Sequence, residues 1–306
     1  MFVYISTWGY ILVPSYNENQ MDTYTATDSY FSLLLALGHF QPMTVLAVFF
    51  LTMGRIFPIV ALAPFIGTKN VPGTIRVMFS VSLIAIFLPQ NLMTLQHDIF
   101  FNAFYIGYLL KEVMIGFVLA FLSTVPFLIA QMAGGLIDFQ RGASSLQVSD
   151  PTTQTQTGPI GLLCNFVLIA SFYALNGPIL YFNGLADSYK VVPVDSLLSM
   201  AILNSQASFW QQIYQLLSMM MRIATQLAAP ALIGILLTDL FLGIANRLAP
   251  QVQIVFLGIA LKSWVGIALM TAAWGLMIQV MSKESIQWMQ TLQWLIQQAG
   301  LTYAGK

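Results

Sequence analysis

Charged side chains are scarce in this sequence, since Asp, Glu, Lys and Arg together make up only 7% of its 306 residues. Soluble domains carry about 25% of these residues, so the composition argues against a soluble protein. The single cysteine, Cys164, excludes an internal disulfide and a thiolate metal cluster. The eleven basic and eleven acidic residues cancel, and this balance gives no sign of nucleic-acid binding.

Motifs of catalysis and metal binding are also missing. The chain has no H-E-x-x-H, no G-x-S-x-G and no Walker A loop, and its histidines, His39 and His97, lack ligand spacing. Asp138, Asp150 and Asp239 offer carboxylates, but nothing in the sequence positions two of them as an acid and a base. We therefore predict that the chain is not an enzyme and has no catalytic, metal or cofactor site.

Long apolar runs dominate the chain, which is 58% hydrophobic with a mean hydropathy of +0.78. About 20 apolar residues cross a bilayer, and several runs here are longer. Prolines inside the runs predict kinks. The pattern predicts an all-α, multi-pass membrane protein of kinked helical hairpins, with helices at about 31–40, 43–64, 74–95, 99–133, 160–182, 209–245 and 252–281.

The ends of the chain differ from this apolar middle. Residues 1–30 form an N-terminal extension, which is either unstructured or a short interfacial segment, unless the true start is Met21 and the first twenty residues are not part of the protein. Residues 283–306 form an amphipathic helix and tail, which either lies on a membrane surface or docks on a partner. The first thirty residues contain no Lys or Arg, whereas Lys69 and Arg76 follow the first apolar block, so the positive-inside rule places that turn in the cytoplasm.

Charged residues lie inside or at the edges of the apolar runs. Each costs about 2.5–3.5 kcal/mol at a lipid-facing helix centre, so several helices are expected to face protein or water. We expect Lys111 and Glu112 to interrupt the helix over 99–133. Two pairs, Glu112 with Lys111 and Asp239 with Arg247, are either part of an ion relay or ion pairs that seal subunit contacts. The run 209–245 is either one helix kinked at Pro230 or a hairpin of two helices.

Three classes of function are alternative explanations for these buried charges. A secondary transporter or channel would use them as an ion relay, but the chain shows no evident inverted repeat. An intramembrane enzyme would need the positioned acid and base that no motif supplies. A subunit of a larger protein-conducting pore explains the kinked helices, the scattered charges and the polar central stretch together.

That central stretch, residues 134–159, is the longest polar interruption in the middle of the chain. It is rich in Gly, Ser, Thr and Gln and carries only three charges, Asp138, Arg141 and Asp150. Non-helical backbone at membrane depth persists only where it is buried in protein or lines a water-filled cavity. The stretch is therefore either a solvent loop between two spans or a gate element inside a channel.

Four motifs, in this order, resemble the SctT/FliR family of type III secretion export-apparatus proteins. They are Arg55-Ile56-Phe57-Pro58 through Pro64-Phe65, Gln140-Arg141-Gly142-Ala143-Ser144 with Asp150-Pro151, Phe172 through Asn176-Gly177, and Asn246-Arg247-Leu248-Ala249-Pro250-Gln251. The resemblance runs from about Ser32 to about Trp294. We expect residues 31–282 to form the export-apparatus domain, followed by the amphipathic helix and tail. The Gln140-Arg141 pair resembles the injectisome branch more than the flagellar branch.

The resemblance implies a single-copy subunit of an export gate in the bacterial inner membrane. Its implied partners are SctR/FliP-like and SctS/FliQ-like subunits, in several copies each, and a SctU/FlhB-like subunit. The implied assembly is a helical ring of kinked hairpins, surrounded by membrane lipid, through which unfolded secreted proteins pass. Energy would come from a separate ATPase and the proton-motive force, so no cofactor or nucleic acid is expected on this chain.

Carried onto this chain, the resemblance makes the loop at about 138–158 a plug that helps to close the channel. Arg141 either pairs with Asp138 or a neighbour's carboxylate to anchor the plug, or is a solvated loop arginine. The expected plug residues are Gln140, Arg141, Gly142, Ala143, Ser144, Ser145, Leu146, Gln147, Val148, Ser149, Asp150 and Pro151. Structural or interface roles are expected for Arg55, Pro64, Asp138, Asp239, Asn246, Arg247, Pro250 and Gln251.

The chemistry of the plug has two possible forms. Flagellar relatives carry bulky aromatic residues in part of this loop, where this chain has Ser145 and Val148. An apolar seal would depend on Leu146 and Val148, the sizeable apolar side chains of the segment. The alternative seal is a set of mutual hydrogen bonds among its glutamines, Gln147, Gln154 and Gln156.

Overall fold

The structure is a computed structural model that describes residues 41–66, 71–95, 98–142, 158–196, 206–248 and 254–304. In these ranges the chain is helical and contains no strand, which confirms the predicted all-α fold. The helix predicted over 31–40 and the N-terminal extension lie outside the described residues. The elements are α1 (Pro42–Leu62), a 3-10 turn (Pro64–Ile66), α2 (Gly73–Met93), α3 (Ala103–Gln140), α4 (Pro159–Ala174), α5 (Gly177–Val191), α6 (Gln206–Leu248) and α7 (Ile254–Ala304).

Five of these helices are long and apolar enough to cross a membrane. They are α1, α2, α3, the Tyr214–Leu248 part of α6 and the Leu257–Gln293 part of α7. The pair α4 and α5 passes the same test together, although the two helices meet at an angle of 74°. Length and composition therefore confirm a multi-pass membrane protein.

The break between α4 and α5 replaces the single helix predicted over 160–182. Asn176, which precedes α5, has φ 56°, a left-handed conformation that asparagine tolerates better than most residues. Pro178 lies in the first turn of α5, where its missing N–H is harmless. The Asn176-Gly177-Pro178 sequence therefore ends one helix and starts the next at a sharp angle.

Helix α3 is the central element of the described part, because it packs against α1, α4, α6 and α7. The charges of Lys111 and Glu112 do not interrupt it, contrary to the sequence prediction. The Glu112 carboxylate accepts hydrogen bonds from two guanidinium nitrogens of Arg55 in α1, at 2.6 and 2.9 Å. It also forms an ion pair with the Lys111 ammonium at 2.7 Å. The Glu112 and Arg55 side chains are fully buried, so the predicted Lys111–Glu112 pair is present and extends to α1.

The chain that follows α5 completes this ionic network. Carbonyl oxygens of Val192, Pro193 and Ser196 accept from Arg55 and Lys111 at 2.7–2.9 Å. The C-terminal end of a helix carries partial negative charge, which suits two cations. The Asp195 carboxylate adds a further negative charge near Lys111. We call Arg55, Lys111, Glu112 and these carbonyls the ionic network, and it joins α1, α3 and the end of α5.

Helices α6 and α7 are both continuous. Of the two alternatives for the run 209–245, the structure shows one helix that contains Pro230, and α7 continues through residues 282 and 283. Asp239 pairs with Lys262 of α7 and not with Arg247. Asp239 and Arg247 are two turns apart on α6, about 12 Å along the axis, and Arg247 is exposed.

The apolar stripe of the C-terminal segment packs on the chain itself. Met289 and Leu292 are buried, and the Trp288 indole donates to the Leu122 carbonyl of α3 at 2.8 Å. The Gln293 amide donates to the Leu180 carbonyl of α5 at 2.6 Å. The stripe was predicted to lie on a membrane or to dock on a partner, whereas its described part helps to hold α3, α5 and α7 together.

The ionic network predicts that Glu112→Gln destabilises the protein strongly. The substitution leaves Arg55 and Lys111 buried without their shared carboxylate, and breaking one partner of a buried pair costs about 3–5 kcal/mol. Thermal unfolding of the purified chain in detergent measures the loss. The control is Asp187→Asn, which removes a partner from the exposed Lys190–Asp187 pair and should cost about 0–1 kcal/mol. Equal effects of the two substitutions would contradict the assignment.

Candidate functional site

The two ends of the polar central segment, called its roots below, lie next to each other: one is the end of α3 and the other is the start of α4. Helix α3 ends at Gln140 and α4 begins at Pro159, and residues 143–157 between them lie outside the described residues. Helices α3 and α4 pack against each other. Whatever path the segment takes, it therefore leaves the helical core and returns to it at one place.

Asp138, in the last turn of α3, bonds to both roots. Its Oδ1 accepts from the Arg141 Nε at 3.0 Å and from the Nη2 at 2.6 Å. Its Oδ2 accepts from the backbone N–H groups of Ile160 and Gly161, at 2.8 and 3.1 Å. We call Asp138, Arg141 and these two N–H groups the loop clamp.

The electrostatics of the loop clamp explain why the Asp138 carboxylate is buried between α3 and α4. The side chain of Asp138 is only 4% exposed and that of Arg141 only 11%, so water solvates neither charge well. The first N–H groups of a helix have no partner within it and carry partial positive charge. No side chain from its own N-cap residue, Gly158, serves α4. Asp138 fulfils that role from the neighbouring helix and neutralises Arg141 at the same time.

Two glycines make this arrangement possible. A Cβ added at Gly158 would overlap the Asp138 carboxylate, so a side chain there would displace the acceptor from the start of α4. Gly142, directly after Arg141, has φ 82°, a left-handed conformation that glycine adopts without strain. The chain turns out of α3 at Gly142 and enters α4 at Gly158.

Of the two alternatives for Arg141, the structure shows the pair with Asp138. Arg141 is the C-cap residue of α3, and its Cβ lies next to Gly266 of α7. Gln140 and Gly142 flank it at the same root. The remaining predicted plug residues, Ala143–Pro151, lie outside the described residues, and their role stays a prediction.

The residues expected to be structural do not form one site. Arg55 belongs to the ionic network, and Pro64 begins the 3-10 turn after α1. Asn246 and Arg247 are exposed at the end of α6, and Pro250 and Gln251 lie outside the described residues. Among the described residues, no group of three or more His, Cys, Asp or Glu side chains could hold a metal ion.

Sequence reasoning did not assign the α4 side of the loop clamp. Gly158, Ile160 and Gly161 contribute backbone groups, which no side-chain motif reveals. A signal was nonetheless present, because Gly158-Pro159 starts a helix without the Ser, Thr, Asp or Asn that usually caps one. A helix start without a capping side chain leaves N–H groups that a polar group from elsewhere must satisfy wherever water is excluded.

The fold and the loop clamp define a class: a multi-pass α-helical membrane protein whose polar central segment is fixed at both ends inside the helical core. Comparison with known sequences then gives the family. Residues 46–287 match the model of the family described as bacterial export proteins, family 1, and the chain belongs to this family. This confirms the resemblance to the SctT/FliR export proteins of type III secretion.

Similar proteins come from both branches of the family. The chain is 33% identical to the Yop proteins translocation protein T of Yersinia pestis over 153 residues, which is 50% of this chain and 57% of that protein. It is 33% identical to the secretion system apparatus protein SsaT of Salmonella typhimurium over 161 residues, 52% of this chain and 60% of SsaT. It is 30% identical to the flagellar biosynthetic protein FliR of Bacillus subtilis over 220 residues, 70% of this chain and 81% of FliR.

The matches therefore span less than two thirds of the first two relatives and most of the third. Both a translocation protein and a flagellar protein are among them, so the predicted injectisome branch stays a prediction. The division into an extension, an export domain and a tail also stays a prediction. What the match does establish is that the described helices, from α1 through most of α7, belong to the family region.

The loop clamp predicts a local effect of Asp138→Asn. The amide keeps the shape of the side chain but loses the charge, and its NH2 group cannot accept from a backbone N–H or from Arg141. A hydrogen bond to a charged group contributes about 1.5–3 kcal/mol, so exchange of the Ile160 and Gly161 amides should accelerate about tenfold to a hundredfold. Hydrogen–deuterium exchange of the purified chain measures this rate.

Asp187→Asn is the matched control, because it removes a carboxylate from the outer surface of α5. In that variant the amides at the start of α4 should exchange as in the unmodified chain. Unchanged exchange in Asp138→Asn itself would show that the clamp does not hold α4.

Proposed function

We propose that this chain is a single-copy subunit of a type III secretion export gate in the bacterial inner membrane, and that it is not an enzyme. In this assembly it forms a protein-conducting channel with SctR/FliP-like and SctS/FliQ-like subunits, beside a SctU/FlhB-like subunit. Unfolded secreted proteins pass through the channel, and the central segment, residues 143–157, helps to close it. Family membership supports the export role.

The loop clamp is the observation that carries the role of the central segment. A loop that only linked two spans in water would need no buried charge at its roots, because burying a charge is costly unless it is paired. Here Asp138 and Arg141 are buried, and Asp138 also holds the first turn of α4. The described residues at both ends of the segment are therefore fixed next to each other, at the junction of α3 and α4.

Two forms of seal are compatible with this geometry. Leu146 and Val148 would close the channel by excluding water, and the glutamines of the segment would close it by hydrogen bonds among themselves. An apolar seal resists ions without polar contacts, whereas a glutamine seal needs partner groups from neighbouring subunits. In either form the clamp positions the segment and leaves the closing contacts to residues 143–157.

The faces left for partner subunits and lipid are apolar. Helices α6 and α7 expose large apolar side chains that no other described element covers, among them Ile233, Leu237, Phe241, Leu248, Trp264 and Leu276. Exposed apolar patches of this extent mark protein interfaces or membrane contact. We assign the α6–α7 face to neighbouring subunits of the export gate and to membrane lipid.

A secondary transporter is the competing proposal, since charged side chains lie inside the helical core. A relay needs a charged group that exchanges its proton or ion with water. Arg55, Lys111 and Glu112 are instead at most 4% exposed and are engaged with each other and with backbone carbonyls. This arrangement favours a structural role for the ionic network and therefore favours the export gate.

The export-gate proposal predicts a defined complex. The tagged chain, purified in mild detergent from cells that also express the neighbouring genes, should carry two smaller hydrophobic proteins in several copies each. Native mass spectrometry gives the copy numbers, with one copy of this chain expected per complex. A lone chain or a simple homodimer under these conditions would contradict the proposal and would favour the transporter.

A further inference from the structure

An open groove lies between the 3-10 turn, α2 and the α4–α5 break. Its volume is about 360 Å³. Tyr173 fixes one wall, because its hydroxyl donates to the Phe65 carbonyl at 2.6 Å. The other lining side chains are apolar with one exception, Arg76: Phe65, Ile66, Val71, Ile75, Phe79, Pro178 and Phe182.

Arg76 is a cation in this groove that no described residue pairs with. Its guanidinium makes no hydrogen bond or ion pair with a described residue, and its Nε is buried without an acceptor. A buried donor without an acceptor costs about 1–3 kcal/mol, and more when the group is charged. The arrangement is therefore unfavourable unless something outside the described chain supplies an acceptor.

The position of Arg76 on its helix makes an anionic acceptor more favourable still. Arg76 lies in the first turn of α2, where the helix itself contributes partial positive charge. That turn contains no acidic residue, and no side chain of the N-cap residue Pro72 caps it. Lys69 precedes it in the sequence. Two sources of positive charge therefore coincide at one end of an apolar groove.

We propose that this groove binds an anionic phospholipid, with the headgroup phosphate on Arg76 and the first turn of α2, and an acyl chain along the aromatic lining. A phosphate accepts from a guanidinium and from helix N-terminal N–H groups. Basic pockets between membrane helices on the cytoplasmic side bind such headgroups, and the positive-inside rule places this turn on that side. The proposal goes beyond the export gate and needs only that the chain is a membrane protein.

The apolar lining separates this ligand from other anions. A free phosphate would use Arg76 and leave the aromatic wall unoccupied, and a neutral lipid would use the wall and leave Arg76 unpaired. Only an anionic amphiphile satisfies both halves of the groove. The test must therefore vary the headgroup, the acyl chain and the arginine separately.

The experiment is native mass spectrometry of the purified chain with equal concentrations of phosphatidylglycerol and phosphatidylcholine that carry identical acyl chains. The unmodified chain should retain phosphatidylglycerol in preference by about tenfold, the effect of one charge-assisted contact. Arg76→Gln should lose this preference and Arg76→Lys should keep most of it. The matched control Arg222→Gln, at an exposed position of α6 outside the groove, should keep it fully.

Three results would overturn the proposal. Equal retention of the two lipids by the unmodified chain would show that the groove does not distinguish the charge of the headgroup. An unchanged preference in Arg76→Gln would place the anionic lipid elsewhere on the chain. Displacement of phosphatidylglycerol by millimolar inorganic phosphate would indicate a phosphate site to which the acyl chain adds nothing.

Discussion

The Glu112 carboxylate is the interaction on which the rest of the helical core depends. It neutralises Arg55 of α1 and Lys111 of its own helix in a place where water cannot. Without it, Arg55 and Lys111 would be buried together with no carboxylate to neutralise them. Backbone carbonyls at the end of α5 accept the remaining donors, so one carboxylate fixes the position of three elements. The charges of the ionic network therefore hold α1 and the end of α5 against α3.

The same rule operates at the other end of α3, where Asp138 neutralises a buried arginine and a helix N-terminus together. The two sites differ in what they hold. The ionic network joins α1, α3 and the end of α5, whereas the loop clamp joins the two ends of the polar central segment to each other. A segment held at both ends is the arrangement that the proposed closing role requires.

The sequence alone predicted the helices well where apolar runs ended at prolines or polar turns, as for α1 and α2. It placed a false interruption at Lys111-Glu112, because hydropathy treats every charge as exposed until its partner is known. It offered Arg247 as one possible partner of Asp239, whereas Asp239 pairs with Lys262, because sequence distance gives no information about the facing helix. Arg141 and Asp138 were predictable as neighbours one turn apart, but the backbone groups of Ile160 and Gly161 were not. Those groups have no side-chain signature and come together only when α3 packs on α4.

The central claim is that the clamped segment closes a protein-conducting channel, and the most direct measurement is the ion leak of the assembled complex in a lipid bilayer. The comparison is between the unmodified chain and a chain without Ser144–Ser149, each checked by native mass for the same assembly. This deletion leaves Asp138, Arg141 and the start of α4 in place, so the clamp itself is unchanged. The account predicts a large increase in leak when the segment is shortened. An equally tight complex that also secretes normally would contradict it.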